Sequence, residues 1–365
     1  MSSLNRNFDL RSKVLSLGKV QINLAFLSLN RTFANKMGTH TIIRQVFKVI
    51  LPLLLGGAIL YWMYRNFDFG SIRHVLLYEM DWTWMLLSFP FGILAQMFRG
   101  WRWKLALEPL GEHPRTSVSI YSIFLSYAVS LIIPRVGEFA RCGVLKRYDD
   151  VSFPKAIGTV VTERAVDTLL MLGITALAFI MQVKVFGTFF STTGTRFNDI
   201  IGKFTTAGWL VTAICGIAVL ILLYFILRRL AIYNKVKEAV HGIWQGIMSV
   251  RKVKSIPLFC FYSVAIWVSY FLHYYLTFFC FDFTANLGLT CALVTFVVGS
   301  IAVIVPTPNG AGPWHFAVKT MLILYGVAEP QALYFVLIVH TVQTLLVVLL
   351  GVYAWIALAG TKVKG

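Results

Sequence analysis

Charged residues are scarce in this chain: Asp, Glu, Lys and Arg together make up 13% of 365 residues, against about 25% in soluble domains. That scarcity, beside 58% hydrophobic residues and a mean hydropathy of +0.74, excludes a soluble globular enzyme. Acidic residues are scarcer still, 15 against 33 Lys and Arg, for a net charge of +18. In a chain this apolar, the excess is explained by the gathering of Lys and Arg in cytoplasmic loops of multi-span proteins. No nucleic-acid partner is expected. The five cysteines, Cys142, Cys215, Cys260, Cys280 and Cys291, form no CxxC pair, so neither a disulfide framework nor a zinc site is expected. The chain also lacks a nucleophile motif, a metal cluster and a nucleotide-phosphate loop. The expectation is a non-enzyme that needs no cofactor or metal.

Apolar runs are what the chain has in plenty. With roughly 20 residues per helical crossing, spans are expected near Val46–Tyr64, Trp82–Phe98, Ala156–Met181, Ala207–Leu227, Pro257–Phe281 and Gln331–Ala359. Residues 1–48 carry eight basic and one acidic residue and residues 228–256 carry seven and one, which places both, and Lys362 and Lys364, in the cytoplasm. Basic residues also flank the apolar stretch Ser117–Ile133 on both sides, at Arg99–Thr116 and Pro134–Lys155. A re-entrant hairpin that dips in and returns keeps both flanks inside, with Pro134 and Gly137 as helix breakers. Leu287–Leu324 is expected to do the same from the outer face, broken by Pro306, Pro308, Gly310, Gly312 and Pro313.

The expected fold is an all-α polytopic membrane protein. It has about six transmembrane helices plus two re-entrant broken-helix hairpins in two inverted repeats, as in secondary transporters; eight full spans is the alternative. The organisation is a cytoplasmic N-terminal segment, 1–45, without a signal-peptide cleavage pattern, a first membrane repeat, 46–206, and a second, 207–365. Met37 is an alternative start. The second repeat includes a basic segment, 233–255, that suits an interfacial amphipathic helix or an orienting inside loop.

Charges inside apolar spans cost about 2.5 to 3.5 kcal/mol each on insertion scales, which marks them for function. Glu163, Arg164 and Asp167 share one span, and a spacing of four puts the two carboxylates on one helical face. Candidate cations are Arg99 and Arg102 at the inner end of span two and Arg135 and Arg141 on the first hairpin. Set against Glu138, Glu163 and Asp167, five arginines leave a surplus of two positive charges, suited to an anionic head group gripped by a planar guanidinium. A network of ion pairs that only pins the hairpin is the alternative. His315 is placed near the outer mouth, as a proton-coupling or a hydrogen-bonded structural residue, and Lys319, one turn beyond, as a phosphate contact or a snorkelling side chain. The other histidines, including His273 and His340, show no ligand spacing.

Arg99-x-x-Arg102-Trp103, Pro134-Arg135-x-Gly137-Glu138-x-x-Arg141, Glu163-Arg164-x-x-Asp167 and Pro306-x-Pro308-x-Gly310-x-Gly312 follow one another in that order. Together they resemble the lysylphosphatidylglycerol synthase transmembrane-region (flippase-like) family over residues 46 to 359. The resemblance implies a lipid translocase that moves an anionic phospholipid, aminoacyl-phospholipid or polyprenyl-phosphate lipid between leaflets of a bacterial inner membrane. It also implies no synthase activity, since the aminoacyl-transferase domain of bifunctional members is not in this sequence. His315 stands where an acidic residue commonly follows the glycines in that family. A separate lipid-modifying synthase and a homo-oligomer are the expected protein partners. The alternatives are a membrane enzyme on a lipid-linked substrate, with Glu138, Glu163 or Asp167 as base, and a non-transporting partner of a lipid or glycan synthase.

Overall fold

A computed structural model describes residues 53–65, 67, 69–182, 253–305 and 307–364. The N-terminal segment, the expected span at 207–227, nearly all of the basic segment at 233–255, and Pro306 lie outside the described residues. Among those described, the secondary structure is helical without strands. The longer helices among them are α1 (Leu53–Tyr64), α2 (Trp82–Leu107), α3 (Thr116–Ile132), α4 (Gly137–Asp149), α5 (Phe153–Met181), α6 (Ile256–Tyr275), α7 (Gly288–Ala302), α8 (Pro313–Leu324) and α9 (Glu329–Ala359).

Local chemistry sets several of their starts. Pro154, Pro257, Pro313 and Pro330 occupy the first turns of α5, α6, α8 and α9, where a missing N–H costs nothing and the fixed φ is already helical. Asp81 caps α2 by accepting from Thr83 N at 2.8 Å, which satisfies one of the free N–H groups of the first turn.

Three helices are long and apolar enough to cross a membrane: Phe153–Met181, Ile256–Cys280, in which a 3-10 segment prolongs α6, and Glu329–Ala359. The protein is therefore read as a multi-pass membrane protein. α2 corrects the sequence expectation: it does not end at Phe98 but runs 26 residues to Leu107, about 39 Å. Arg99 and Arg102 thus lie inside a helix and not at its inner end. Carboxylates on α5 meet both side chains, so the helix continues through them instead of breaking into the basic loop that their charge suggests.

Two antiparallel helical hairpins stand between the long helices. α3 and α4 pack together, and their open end is closed by Arg115, whose Nε donates to Asp149 Oδ1 at 2.6 Å. The approach at the other end depends on Gly137, since a Cβ there would collide with the Ser126 carbonyl and the Ser130 hydroxyl. α7 and α8 form the second hairpin, with Gly299 of α7 against Trp314 and Val318 of α8.

The hairpins open at opposite ends. The mouth of the first lies with the end of α9, where Arg115 Nη2 donates to the Lys362 carbonyl at 2.9 Å, and with the start of α5, where Lys155 pairs with Glu112 at 2.8 Å. Near that mouth Lys146, at 2.6 Å, holds the exposed Asp150 carboxyl below its ordinary value. At the opposite end Tyr325, which follows α8, packs in one cluster with Ala178 and Phe179 at the end of α5. The two closed tips meet, for Arg135 Nη2 donates to the Ile304 carbonyl at 3.2 Å.

Candidate functional site

The arginines and carboxylates of α2, α4 and α5 form one buried cluster. Arg99 and Arg102 are separated by three residues on α2 and face the same side, as do Glu163 and Asp167 on α5. Asp167 bridges both arginines, with Arg99 Nη1 at 2.7 Å and Arg102 Nη1 at 2.8 Å. Glu163 reaches Arg102 Nε at 3.4 Å and Arg141 Nη2 at 2.8 Å. Glu138, one turn before Arg141 on α4, pairs with Arg141 at 2.7 Å and with Arg164 at 3.1 Å.

Burial separates a core from an edge. Arg99, Arg102, Arg141, Glu163 and Asp167 are buried, whereas the side chain of Arg164 is 45% exposed and that of Glu138 29%. Desolvating five charges costs several kcal/mol per ion unless each finds partners, and the alternation of sign around the cluster supplies them. The guanidinium of Arg141 also lies 4.4 Å from the centroid of the Trp103 ring, a cation–π contact, and Trp103 Nε1 is fixed by donating to Thr159 Oγ1 at 2.9 Å. Donors and acceptors are nevertheless both left over, the acceptors being Glu138 Oε2, Glu163 Oε2 and Asp167 Oδ1. Arg99 Nε, Arg102 Nη2 and Arg141 Nη1 are buried without a hydrogen-bond partner among the described residues, and the close contacts of Arg141 Nη2 with Glu138 and Glu163 are ion pairs without hydrogen-bond geometry.

Sequence spacing gave no sign of three polar neighbours. Ser263 of α6 accepts from Arg102 Nη1 at 3.2 Å, and Tyr270 of α6 donates to the Tyr127 hydroxyl of α3 at 2.7 Å. Each stands beside a second hydroxyl residue, at Ser126, Tyr262 and Ser269, in an otherwise apolar run, and only the contacts across helices show what it faces.

Not every expected residue joins the cluster. Arg135 lies at the hairpin tips, exposed and bonded to Ile304, so the cluster holds four arginines against three acids, a surplus of one and not two. Its place follows from its backbone: φ of 66° turns the chain sharply between Pro134 and Gly137 and carries the side chain to the other hairpin. Lys319 pairs with Glu329 at 2.9 Å between α8 and α9, apart from the arginines. His315 is not near a mouth but in the first turn of α8 at the second tip, buried, with its ring centroid 4.4 Å from that of His340. Among the breakers, Gly310 and Gly312 adopt φ of 71° and 93°, and a Cβ at Gly312 would sit 2.9 Å from the Gly56 carbonyl of α1. Pro308 begins the short 3-10 turn between them and Thr307. Among the described residues, no group of three or more His, Cys, Asp or Glu could hold a metal ion.

The cluster can therefore offer spare guanidinium donors to an oxyanion, with Arg164 at its accessible edge. No curated protein and no solved structure matches the chain. The model of one family, described as the lysylphosphatidylglycerol synthase TM region, matches residues 49–351, and the chain belongs to that family.

Proposed function

We propose that this protein is a lipid translocase that moves a lipid with an anionic phosphate head group between leaflets by alternating access. One observation carries the reading: a buried cluster with unpartnered arginine donors stands beside two helical hairpins that open at opposite ends and touch at their tips. Discontinuous helices that enter from both sides and meet near the midplane, with helix N-termini directed at an anion, are the construction of secondary carriers. Both α4 and α8 begin at the tips.

On this reading the hairpins are re-entrant and belong to inverted repeats, and Arg99, Arg102, Arg141 and Arg164 receive the phosphate while Glu138, Glu163 and Asp167 hold them in place. The acyl chains stay in the bilayer. The end that gathers Lys104, Arg115, Lys146, Arg147, Lys155 and Lys362 faces the cytoplasm by the positive-inside rule, in the inner membrane of a bacterium. The chemistry needs no cofactor. Phospholipid, aminoacyl-phospholipid and polyprenyl phosphate all present the required group.

The test is a flip assay with purified protein in liposomes, following a fluorescent phosphatidylglycerol by its protection from dithionite. Wild type should equilibrate the probe between leaflets, and Arg164→Gln should slow it by roughly tenfold, the loss of one charge-assisted hydrogen bond. Equal rates in protein-free and wild-type liposomes, for phosphatidylglycerol and for a polyprenyl phosphate alike, would falsify the proposal. Consumption of the lipid in detergent, where leaflets do not exist, would assign the protein to the membrane enzymes instead.

A further inference from the structure

The helices pack in matching pairs: α2 on α3 and α6 on α7, α4 on α5 and α8 on α9, α3 on α9 and α7 on α5, with α2 against α6. Replacing each of α2–α5 by the helix four places later, and the reverse, returns these pairs, whereas the packing of α2 on α5 and of α5 on α6 has no counterpart of equal extent. Under that exchange α5 corresponds to α9, and the start of α4 to the start of α8. Glu163 is the eleventh residue of α5 and His340 the twelfth of α9. Four residues beyond each stand Asp167 and Thr344. Glu138 is the second residue of α4 and His315 the third of α8.

The side chains at these second positions are also gathered at a hairpin tip. Asn309 Nδ2 donates to Thr344 Oγ1 at 2.6 Å, and the Asn309 carbonyl lies 3.1 Å from His340 Nε2. His315 Nδ1 accepts from Gly312 N at 3.4 Å, which in the neutral ring leaves the proton on Nε2, free to donate. Two buried hydroxyls nearby have no hydrogen-bond partner among the described residues: Thr307 Oγ1, in the same tip, and Tyr64, whose ring stands edge-on 6.2 Å from that of His315. Both residues are more than nine-tenths buried, at 4% and 8% exposure. The first turn of α8 adds backbone N–H groups and the positive end of its dipole. Asn309 is exposed, so the site is reachable.

We propose that Asn309, His315, His340 and Thr344 form a second phosphate station, the counterpart in the second half of the arginine cluster in the first, which takes the head group of the same anionic lipid. This rests on the translocase reading above. The donors here are imidazole, amide and hydroxyl groups, which carry no fixed positive charge, so this station holds the phosphate more weakly than the arginines do.

Trp314 supplies a local probe, because its ring lies 5.5 Å from that of His315 and 5.1 Å from that of His340. The full chain in dodecyl maltoside is titrated with dioctanoyl phosphatidylglycerol, and the emission that Trp314→Phe removes is taken as the signal. The expected result is a saturable change whose apparent affinity falls roughly tenfold in His340→Gln and in Thr344→Val, with no response to inorganic phosphate at equal concentration. Thr344→Val keeps the side-chain shape, which guards against a folding artefact. A signal indifferent to the lipid, or equal in wild type and both variants, overturns the station, and so does a response to inorganic phosphate alone. Because binding is read without leaflets, wild type that binds here yet fails to flip lipid in liposomes refutes the translocase reading only. Wild type that flips lipid without this signal refutes the station only.

Discussion

At the scale of single residues, Glu163 and Arg164 are neighbours in sequence with opposite burdens. Glu163 faces two arginines, and the three side chains are 0% to 1% exposed. Glu163→Gln leaves two buried guanidiniums short of a counter-charge, and losses of about 3 to 5 kcal/mol are usual when one partner of a buried pair is removed. A clearly lowered apparent Tm in detergent is expected. Arg164 is almost half exposed, where an ion pair contributes about 1 kcal/mol or less. Arg164→Gln should melt within a few degrees of wild type by the same measurement. If instead it melted as low as Glu163→Gln, Arg164 would be part of the structural core and not the accessible edge.

The charges themselves were legible in the sequence, because an ion in an apolar run is costly wherever it lies, and Glu163, Arg164 and Asp167 stand out for that reason alone. Their partners were legible only in part. Arg99 and Arg102 follow from charge balance, but Ser263 meets Arg102 and Tyr270 meets Tyr127 across helix interfaces, and no local spacing encodes such a meeting. Arg135 was misplaced because a positive φ, which redirects its side chain, leaves no mark in the sequence beyond the neighbouring proline and glycine.

At the scale of elements, the first hairpin depends on its turn and its close approach. Arg135 holds a left-handed conformation that costs a non-glycine residue about 1 to 2 kcal/mol. Arg135→Gly should therefore raise or preserve the apparent Tm while removing the bond to Ile304, and a lowered Tm would mean that the tip contact outweighs the backbone relief. Gly137→Val should act oppositely, since the Ser126 carbonyl occupies the space of its Cβ. The expected outcome is a membrane-inserted protein that aggregates on size exclusion; a monodisperse peak would show that α3 and α4 can separate without loss of the fold. The breaks in both hairpins were visible in the sequence because proline and glycine act locally. The length of α2 was not, since whether a helix can run on through Arg99 and Arg102 is decided by carboxylates 61 to 68 residues away.

At the scale of the whole molecule, the translocase reading requires the tips to part. Cysteines at Arg135 and Ile304, introduced with Cys260→Ser to remove the native thiol that is exposed among the described residues, should be joined by a reducible bis-thiol linker as long as the arginine side chain it replaces, which should stop lipid flip until reductant cleaves it. Unchanged flip after complete cross-linking, measured by a gel shift of an engineered cleavage site between the two positions, would show that the tips move as one body.

The bond between Arg135 and Ile304 also bears on what the membrane loses by holding such a protein. A path polar enough for a phosphate is polar enough for sodium and protons, and a continuous one would drain the ion gradients that a cell lives on. On the translocase reading, the contact between the two tips is what closes such a path and lets the bilayer keep its electrical resistance. On that reading, the contact that has to yield for cargo is also the one that keeps a carrier from being a leak.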